Sequence, residues 1–351
     1  MKIIFMLENY DMGGVEKVSL QLLKGIKLLA PEICVSILTE QDKGELKAEF
    51  NQTYPCQCLN GRNNFRIFKN KIEELQPDLI VFTKGGLSKY KLSILFNEHI
   101  KTIAIQHVPI DLPDSSTLKN TIRKISAAFL YRLVSKVICV SDGIANNLKS
   151  TIKLNDKQVG RIYNPVIDQQ ISPLSQETVE YSNYFVCVGR IHYQKGYDLL
   201  LNIIQQAKVK DNNIQVVIIG DGPDRQMLEE SIKEKELNDN VIIHGFTDNP
   251  YKYIRAAKGI LMTSRWEGLP TVLVEAAYLK TQIISFDCRY GPSELTSKGR
   301  NGYLINENNE KDFVTAIEKV NSGKIKELPQ LTDFHLKSAA KNYLSLFREV
   351  S

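Results

Sequence analysis

Nowhere does the chain hold an uninterrupted apolar run near the roughly 18 residues that a membrane-spanning helix needs, so at most it is expected to lie on a membrane. Its amino terminus, MKIIFMLENYD, is apolar only from Ile3 to Leu7 before Glu8 interrupts it. That run is shorter than a secretory core and has no small-residue cleavage site, so it reads as the first strand of a cytoplasmic protein. Cysteine is sparse: Cys34, Cys56, Cys58, Cys139, Cys187 and Cys288 are scattered, several of them in strand-like runs such as ICVSIL and FVCVGR. This excludes a disulfide-stapled scaffold and suggests buried thiols. Cys56-x-Cys58 lacks a second pair at zinc spacing, and His99, His107, His192, His244 and His335 show no ligand spacing. No Asp-x-Asp pair, internal repeat or low-complexity tract occurs.

What is present is enough chain for two cores. At 351 residues the prior is two domains of about 150 to 180 residues each, and 43% hydrophobic with 24% charged residues is the composition of a folded soluble protein. Residues 1 to 168 hold 23 Lys and Arg against 17 Asp and Glu, a balance of +6; residues 169 to 351 hold 22 against 23, a balance of −1. So modest an excess is either a solvated surface or an attraction to anionic headgroups or an anionic acceptor.

The runs KIIFML, CVSILT, DLIVFT, KTIAIQ and KVICVS are short, β-branched and bounded by polar breakers, as buried parallel strands are. Helical spacing fills the gaps between them, as in Val15, Val18, Leu22, Ile26 and Leu29. From Leu118 to Lys136 the apolar positions Leu118, Ile122, Ile125, Phe129 and Leu133 alternate with Lys119, Arg123, Lys124, Arg132 and Lys136. That basic amphipathic segment is a surface helix packed on the sheet or a contact for a membrane or polyanion. A polar stretch, IDQQISPLSQETVEYS, opens at Ile167, after which alternation resumes with YFVCVG, IQVVIIG, NVIIHG, GILMTS and QIISF. The expected organisation is an α/β pair of doubly wound domains, 1–168 and 169–332, with a last helix in 333–351 free to pack on either.

In such sheets ligands sit where strands hand over to helices. In SRWEGLPTVLVEAAYL, Pro270 suits a first helical turn, and the exposed N–H groups of Gly268, Leu269, Thr271 and Val272 make that turn an anion site. Glu267 precedes it, and Glu275 follows on an otherwise apolar helix, where a carboxylate needs a partner; the pair can grip hydroxyls on either side of bound phosphates. In VGRIHYQKGYDLLL, Arg190 and Lys195 follow a strand and can clamp a diphosphate. Without an Asp-x-Asp pair these cations and helix dipoles must meet its charge, so metal-independent chemistry is expected. Gly13 and Gly14 allow close backbone approach, or merely a tight turn. Gly220 and Gly222 lack the third glycine of a dinucleotide fingerprint, Arg225 standing in its place. His107 follows a strand and precedes Pro109, which suits either a site residue or a hydrogen-bonded structural histidine.

These motifs, taken in order as GGVEKVSLQLLKGI, VICVSDGIANNL, IYNPVI, VGRIHYQKGYDLLL, IIGDGPDRQMLEE and the Glu267-x7-Glu275 block, resemble retaining glycosyltransferases of family 4. The resemblance implies the GT-B fold, two Rossmann-like domains facing across a cleft, the first for acceptor and the second for donor, with the final helix crossing back to the first domain. It implies that Arg190 and Lys195 bind the donor diphosphate, Glu267 the transferred sugar and Glu275 the ribose. Gly245 and Phe246 would border the base, Gly13 and Gly14 would approach the donor, His107 would lie near the sugar and Glu16 near the acceptor. ISFDCRYGPSEL resembles members using UDP-linked hexoses or N-acetylhexosamines to build bacterial surface polysaccharides (lipopolysaccharide, O-antigen or capsule) on glycan or lipid-linked acceptors. No cofactor beyond the UDP-sugar donor is implied, and no nucleic acid partner. A UDP-sugar epimerase on the same scaffold and a non-catalytic nucleotide-sugar-binding protein are the competing readings.

Overall fold

The computed structural model describes residues 1–59, 64–85 and 99–351. The helical segment expected between DLIVFT and KTIAIQ falls mostly on 86–98, outside the described residues. The chain forms two compact units, Met1–Val166 together with Thr332–Ser351, and Ile167–Leu331.

In the first unit, among the described residues, strands β1 (Lys2–Leu7), β2 (Cys34–Thr39), β3 (Cys56–Cys58), β4 (Leu79–Phe82), β5 (Lys101–Gln106), β6 (Lys136–Cys139) and β7 (Val159–Arg161) form a sheet in the order β3-β2-β1-β4-β5-β6-β7. Every pairing is parallel, with Ile3 opposite Val35 on one side and Leu79 on the other. Consecutive residues of β1, Ile3, Ile4 and Phe5, are all buried, so both faces of the sheet are covered, as parallel sheets require. Helix Gly14–Leu29 returns across the sheet and also packs against the C-terminal helix Leu336–Val350. Gly25 makes that approach feasible: a Cβ there would lie 2.8 Å from the Ala340 Cβ and 2.9 Å from Leu336 Cδ2. Phe347 reaches past it to meet Phe5 edge-on.

The second unit carries β8 (Phe185–Val188), β9 (Val216–Ile219), β10 (Val241–Gly245), β11 (Gly259–Met262), β12 (Gln282–Phe286) and β13 (Tyr303–Ile305) in the order β10-β9-β8-β11-β12-β13. Again all pairs are parallel. Helix Tyr197–Lys210 buries Leu200, Leu201, Ile203 and Ile204, and helix Glu310–Asn321 adds Phe313, Val314 and Ile317 to the same core. In both sheets the strand order reverses beside the unit's first strand, between β1 and β4 and between β8 and β11. Loops at the carboxyl ends of those strands diverge there and leave room for a ligand.

Two expectations are corrected. Cys139, Cys187 and Cys288 are buried, but Cys34 is exposed at the start of β2 and Cys56 and Cys58 are half-buried; all six are free thiols. The basic amphipathic helix spans Thr117–Tyr131, started by the Ser116 side chain accepting from the Lys119 N–H, and Lys136 already belongs to β6. It packs on its neighbours through Ala127, Leu130 and Tyr131, not through the predicted stripe. Small Ala127 permits close approach, and the Tyr131 hydroxyl donates to Gln106 on β5, which fixes the helix the other way round. No helix among the described residues is long and apolar enough to cross a membrane.

Candidate functional site

The β8 and β11 loops of the second unit are knitted together by backbone. Gly196 adopts φ +66°, and a Cβ there would lie 2.2 Å from the Thr263 carbonyl oxygen, so only glycine lets the loops touch. Thr263 Oγ1 donates to the Gly196 carbonyl at 2.9 Å, the Arg265 N–H to the Gln194 carbonyl at 2.8 Å, and Gln194 Nε2 to the Trp266 carbonyl at 2.9 Å. The Arg265 guanidinium grips Asp198 with bonds of 2.9 and 2.6 Å and covers the Tyr193 ring at 4.0 Å. These contacts hold the short 3-10 turn Tyr193–Lys195 against the β11 loop.

That frame delivers one ion pair. Lys195 lays its stem over Gly189 and places Nζ 2.8 Å from Glu267 Oε1, which also accepts from Ser264 Oγ at 2.6 Å. Glu267 is only 7% exposed, so its charge depends on these two donors. Both donors converge on Oε1; Oε2 accepts no hydrogen bond among the described residues. Arg190, five residues before Lys195, is exposed and makes no side-chain hydrogen bond or ion pair among the described residues.

Pro270 occupies the cap position and the helix runs Thr271–Tyr278, one residue later than a proline-first helix would. Its opening N–H groups, at Thr271 and Val272, lack intrahelical partners, as at any helix start. The turn before it is braced by the RYG loop: Gly291 has φ +93° and its Cβ would lie 2.3 Å from Pro270 Cδ, while the Glu267 N–H donates to the Arg289 carbonyl at 3.0 Å. Glu275 is half-buried on this helix, and its charge, after burial, helps push the Tyr251 phenol up. Gly245 has φ +93° at the end of β10, and Phe246 beside it is exposed. The glycines of IIGDGPDRQMLEE serve packing: a Cβ on Gly220 would lie 2.0 Å from the Gly189 carbonyl oxygen, and one on Gly222 2.1 Å from that of Ile191. Arg225 pairs with Asp221 and Glu229.

The first unit holds a matching pair. Glu16, 4% exposed, folds back over the start of helix Gly14–Leu29 and meets Lys84 Nζ at 2.8 Å; Lys84 also reaches Glu8 at 2.7 Å. Burial opposes the lysine's charge, and the two carboxylates outweigh it, raising its pKa. Gly13 leaves room for this fold-back, since a Cβ there would lie 2.4 Å from Glu16 Oε2 and push the carboxylate aside, whereas a Cβ on Gly14 would meet nothing within 4 Å. His107 lines a cavity of about 500 Å³ with Lys84, Gln106, Arg123, Tyr131 and mostly apolar neighbours. The ring's proton affinity is lowered to about 4, by burial first and by the Lys84 charge, against a bond to the Thr83 backbone. Its Nε2 is buried without a partner among the described residues.

The structure thus brings Lys195 and Glu267 together and places Gly189, Arg190 and the Gly268–Val272 turn on the adjacent loops. Gly13, Glu16 and His107 belong to the other unit. Sequence reasoning missed Ser264 and Lys84. Ser264-x-x-Glu267 has the spacing of a side-chain reach-back, and Lys84 follows a strand just as Arg190 does. Among the described residues no group of three His, Cys, Asp or Glu side chains is placed to hold a metal.

Comparison with known proteins agrees with this architecture. Residues 12–170 match the family model described as Glycosyltransferase Family 4, and residues 168–333 the one described as Glycosyl transferases group 1. The chain is 29% identical over 268 residues, 74% of either chain, to the amylovoran biosynthesis glycosyltransferase AmsD of Erwinia amylovora. It is 25% identical to the lipopolysaccharide 1,6-galactosyltransferase of Escherichia coli K12, covering 82% of this chain and 78% of that one. Among solved structures, the lipopolysaccharide outer core galactosyltransferase WaaB superposes with a TM-score of 0.74 at 22% identity over 99% of this chain and all of that one. Anabaena HepE, solved with UDP, gives 0.78 at 18% over the same shares. With two parallel-sheet α/β units, glycosyltransferase models matched in both halves and GT-B enzymes superposing on nearly the whole chain, the protein is a glycosyltransferase of the GT-B fold, its first half matching the family 4 model and its second the group 1 model.

Proposed function

We propose that this glycosyltransferase moves a hexose or N-acetylhexosamine from a UDP-sugar, with retention and without a metal, to a glycan or lipid-linked acceptor in bacterial surface polysaccharide synthesis. The second unit takes the donor and the first the acceptor. The observation that carries the reading is the loop pair at the β8–β11 reversal. Among the described residues, a buried carboxylate has one oxygen held by Lys195 and Ser264 and the other uncommitted, with Arg190 unpaired on the neighbouring loop.

The chemistry follows from where charge develops. Cleaving the bond from the anomeric carbon to the diphosphate builds negative charge on the leaving oxygen and positive charge on the sugar ring. Lys195, Arg190 and the N–H groups of the Gly268–Val272 turn, Leu269 included, answer the first. Glu267 Oε2 accepts a sugar hydroxyl near the second. For retention, the acceptor hydroxyl attacks on the face the diphosphate leaves, and a phosphate oxygen takes its proton, so no protein nucleophile is needed. Glu275 accepts from the ribose, and Phe246 stacks beside the base next to Gly245. In the first unit, Gly13 and Gly14 admit close backbone approach, His107 Nε2 accepts from a hydroxyl, and Glu16 faces the acceptor from its Lys84 pair. HepE solved with UDP and with UDP-glucose supports the uridine donor. The names of AmsD, the galactosyltransferases and an undecaprenol-linked N-acetylgalactosaminyltransferase of Campylobacter jejuni, 25% identical, support the polysaccharide and the lipid-linked acceptor.

The test is a thermal-shift panel of UDP-, GDP- and ADP-sugars, followed by UDP release with glycan and lipid-linked acceptors in chelator and anomer assignment of the product. UDP-sugars are expected to raise the melting temperature and be turned over. An epimerised sugar formed without acceptor, stabilisation by GDP-sugars alone, or an inverted product overturns the reading.

A further inference from the structure

Helix Thr117–Tyr131 presents an apolar ridge to solvent. Leu118, Ile122, Ile125 and Phe129 are 70, 57, 66 and 53% exposed, and Leu133 continues the line beyond the helix. At about 100° per residue these side chains fall within one narrow stripe. The residues that anchor the helix, Ala127, Leu130 and Tyr131, lie on its other side. An amphipathic helix normally turns its apolar stripe inward, so one seated on its small and aromatic residues with Ile and Phe outward has a second surface to satisfy.

Charge identifies what covers it. TLKNTIRKISAAFLY holds no acidic residue, and the exposed Lys119 and Arg132 flank the ridge, while half-buried Lys124 lies toward the anchoring side. Along the sequence the nearest carboxylates precede the helix: Asp111, bonded to Asn147, and exposed Asp114. An apolar strip edged with cations suits an interface that is hydrocarbon below and anionic above. We infer that this helix beds its Leu118–Phe129 ridge into an anionic lipid bilayer. Such helices lie in the interface plane with their apolar face buried about 5–10 Å into the headgroup and acyl boundary. Arg123, Ser126, Ala127 and Tyr131, on the far side of a helix roughly 10–12 Å across, line the His107 cavity. Docking therefore brings that cavity to the headgroup layer, where a lipid-linked hydroxyl resides. The last step rests on the transferase reading; the docking does not.

The full-length protein is sedimented with vesicles of phosphatidylcholine alone and of phosphatidylcholine with about one-third phosphatidylglycerol. Binding is expected only with the anionic vesicles and to fall at about 0.5 M salt. The variant I122S/F129S is expected to lose tenfold or more in partitioning, and K119Q/R132Q roughly fivefold per charge removed. All these side chains are exposed, so melting temperatures and the shift given by UDP-sugars should match wild type, which separates failed docking from failed donor binding. Wild type remaining in the supernatant, or I122S/F129S binding as well as wild type, overturns the inference. So does a concentration-dependent dimer in sedimentation velocity that I122S/F129S abolishes, which would assign the ridge to a second copy.

Discussion

Each unit places a lysine against a buried glutamate where its strand order reverses, Lys84 with Glu16 in the first and Lys195 with Glu267 in the second, both at 2.8 Å. The supports differ. Around Lys195 the neighbouring loops interlock through backbone hydrogen bonds and close glycine contacts, and Glu267 has Ser264 as a second donor. Lys84 is more exposed and is shared between two carboxylates, and the one glycine close to the pair, Gly13, meets only the end of the Glu16 side chain. One pair is set in a rigid frame and the other can re-partner. Preorganised charge lowers a barrier, whereas the Lys84 pair, with an exposed lysine on a buried glutamate, matters mainly for keeping that carboxylate partnered inside the fold.

The sharpest way to break this comparison is to remove each lysine. Lys195→Ala should cost about 2–4 kcal/mol of transition-state stabilisation, roughly 30- to 1,000-fold in turnover. Lys84→Ala should spare turnover to within about tenfold while lowering unfolding stability by about 1–3 kcal/mol, because Glu16 stays buried without its cation. Equal losses in steady-state kinetics would make the two pairs equivalent.

His107 gives the first unit a pH dependence of its own. Its imidazole titrates near 4 when folded and about 6.5 when unfolded. Between these values the unfolded chain binds a proton that the native one refuses, so stability falls as pH drops through that window and not above it. The loss amounts to at most about 3 kcal/mol by pH 4. Urea melts across pH 4 to 7 should show this slope in wild type and a flatter one in His107→Gln; parallel slopes would remove the assignment.

Gly291→Ala probes the frame itself. The new methyl would strike Pro270 at φ +93°, and about 1–3 kcal/mol of stability should be lost, with turnover falling as the Gly268–Val272 turn shifts. The smallest effect belongs to Ser264→Ala. With Lys195 still in place it should cost about 1 kcal/mol, near fivefold, in kcat more than KM. A larger drop than for Lys195→Ala would mean the hydroxyl, not the ammonium, fixes Glu267.

Long β-branched strands were legible in the sequence because burial on both faces writes them as apolar runs. The edge strands Cys56–Cys58, Val159–Arg161 and Tyr303–Ile305 were not, since three residues carry no period. For the Thr117–Tyr131 helix the apolar stripe was readable but not its direction, which depends on Tyr131 finding Gln106 on another element. The Gly189–Gly196 and Glu267–Glu275 loops stood out through glycine, proline and charge. Their ion pair did not, because Lys195 and Glu267 are 72 residues apart and meet only when β11 lies beside β8.

The first unit is completed by the end of the chain, with Leu336–Val350 seated on Gly14–Leu29 and the whole of Ile167–Leu331 intervening. During synthesis, at about 5–20 residues per second, the first helix waits roughly 15 to 61 seconds for its partner while the rest of its own unit and the intervening unit are made. Over that interval the nascent protein displays the Leu22–Ile26 surface that Ala340 and Leu336 later seal. A nascent chain that has emerged as far as Leu331 and no further would therefore carry a complete second unit and an unsealed first one.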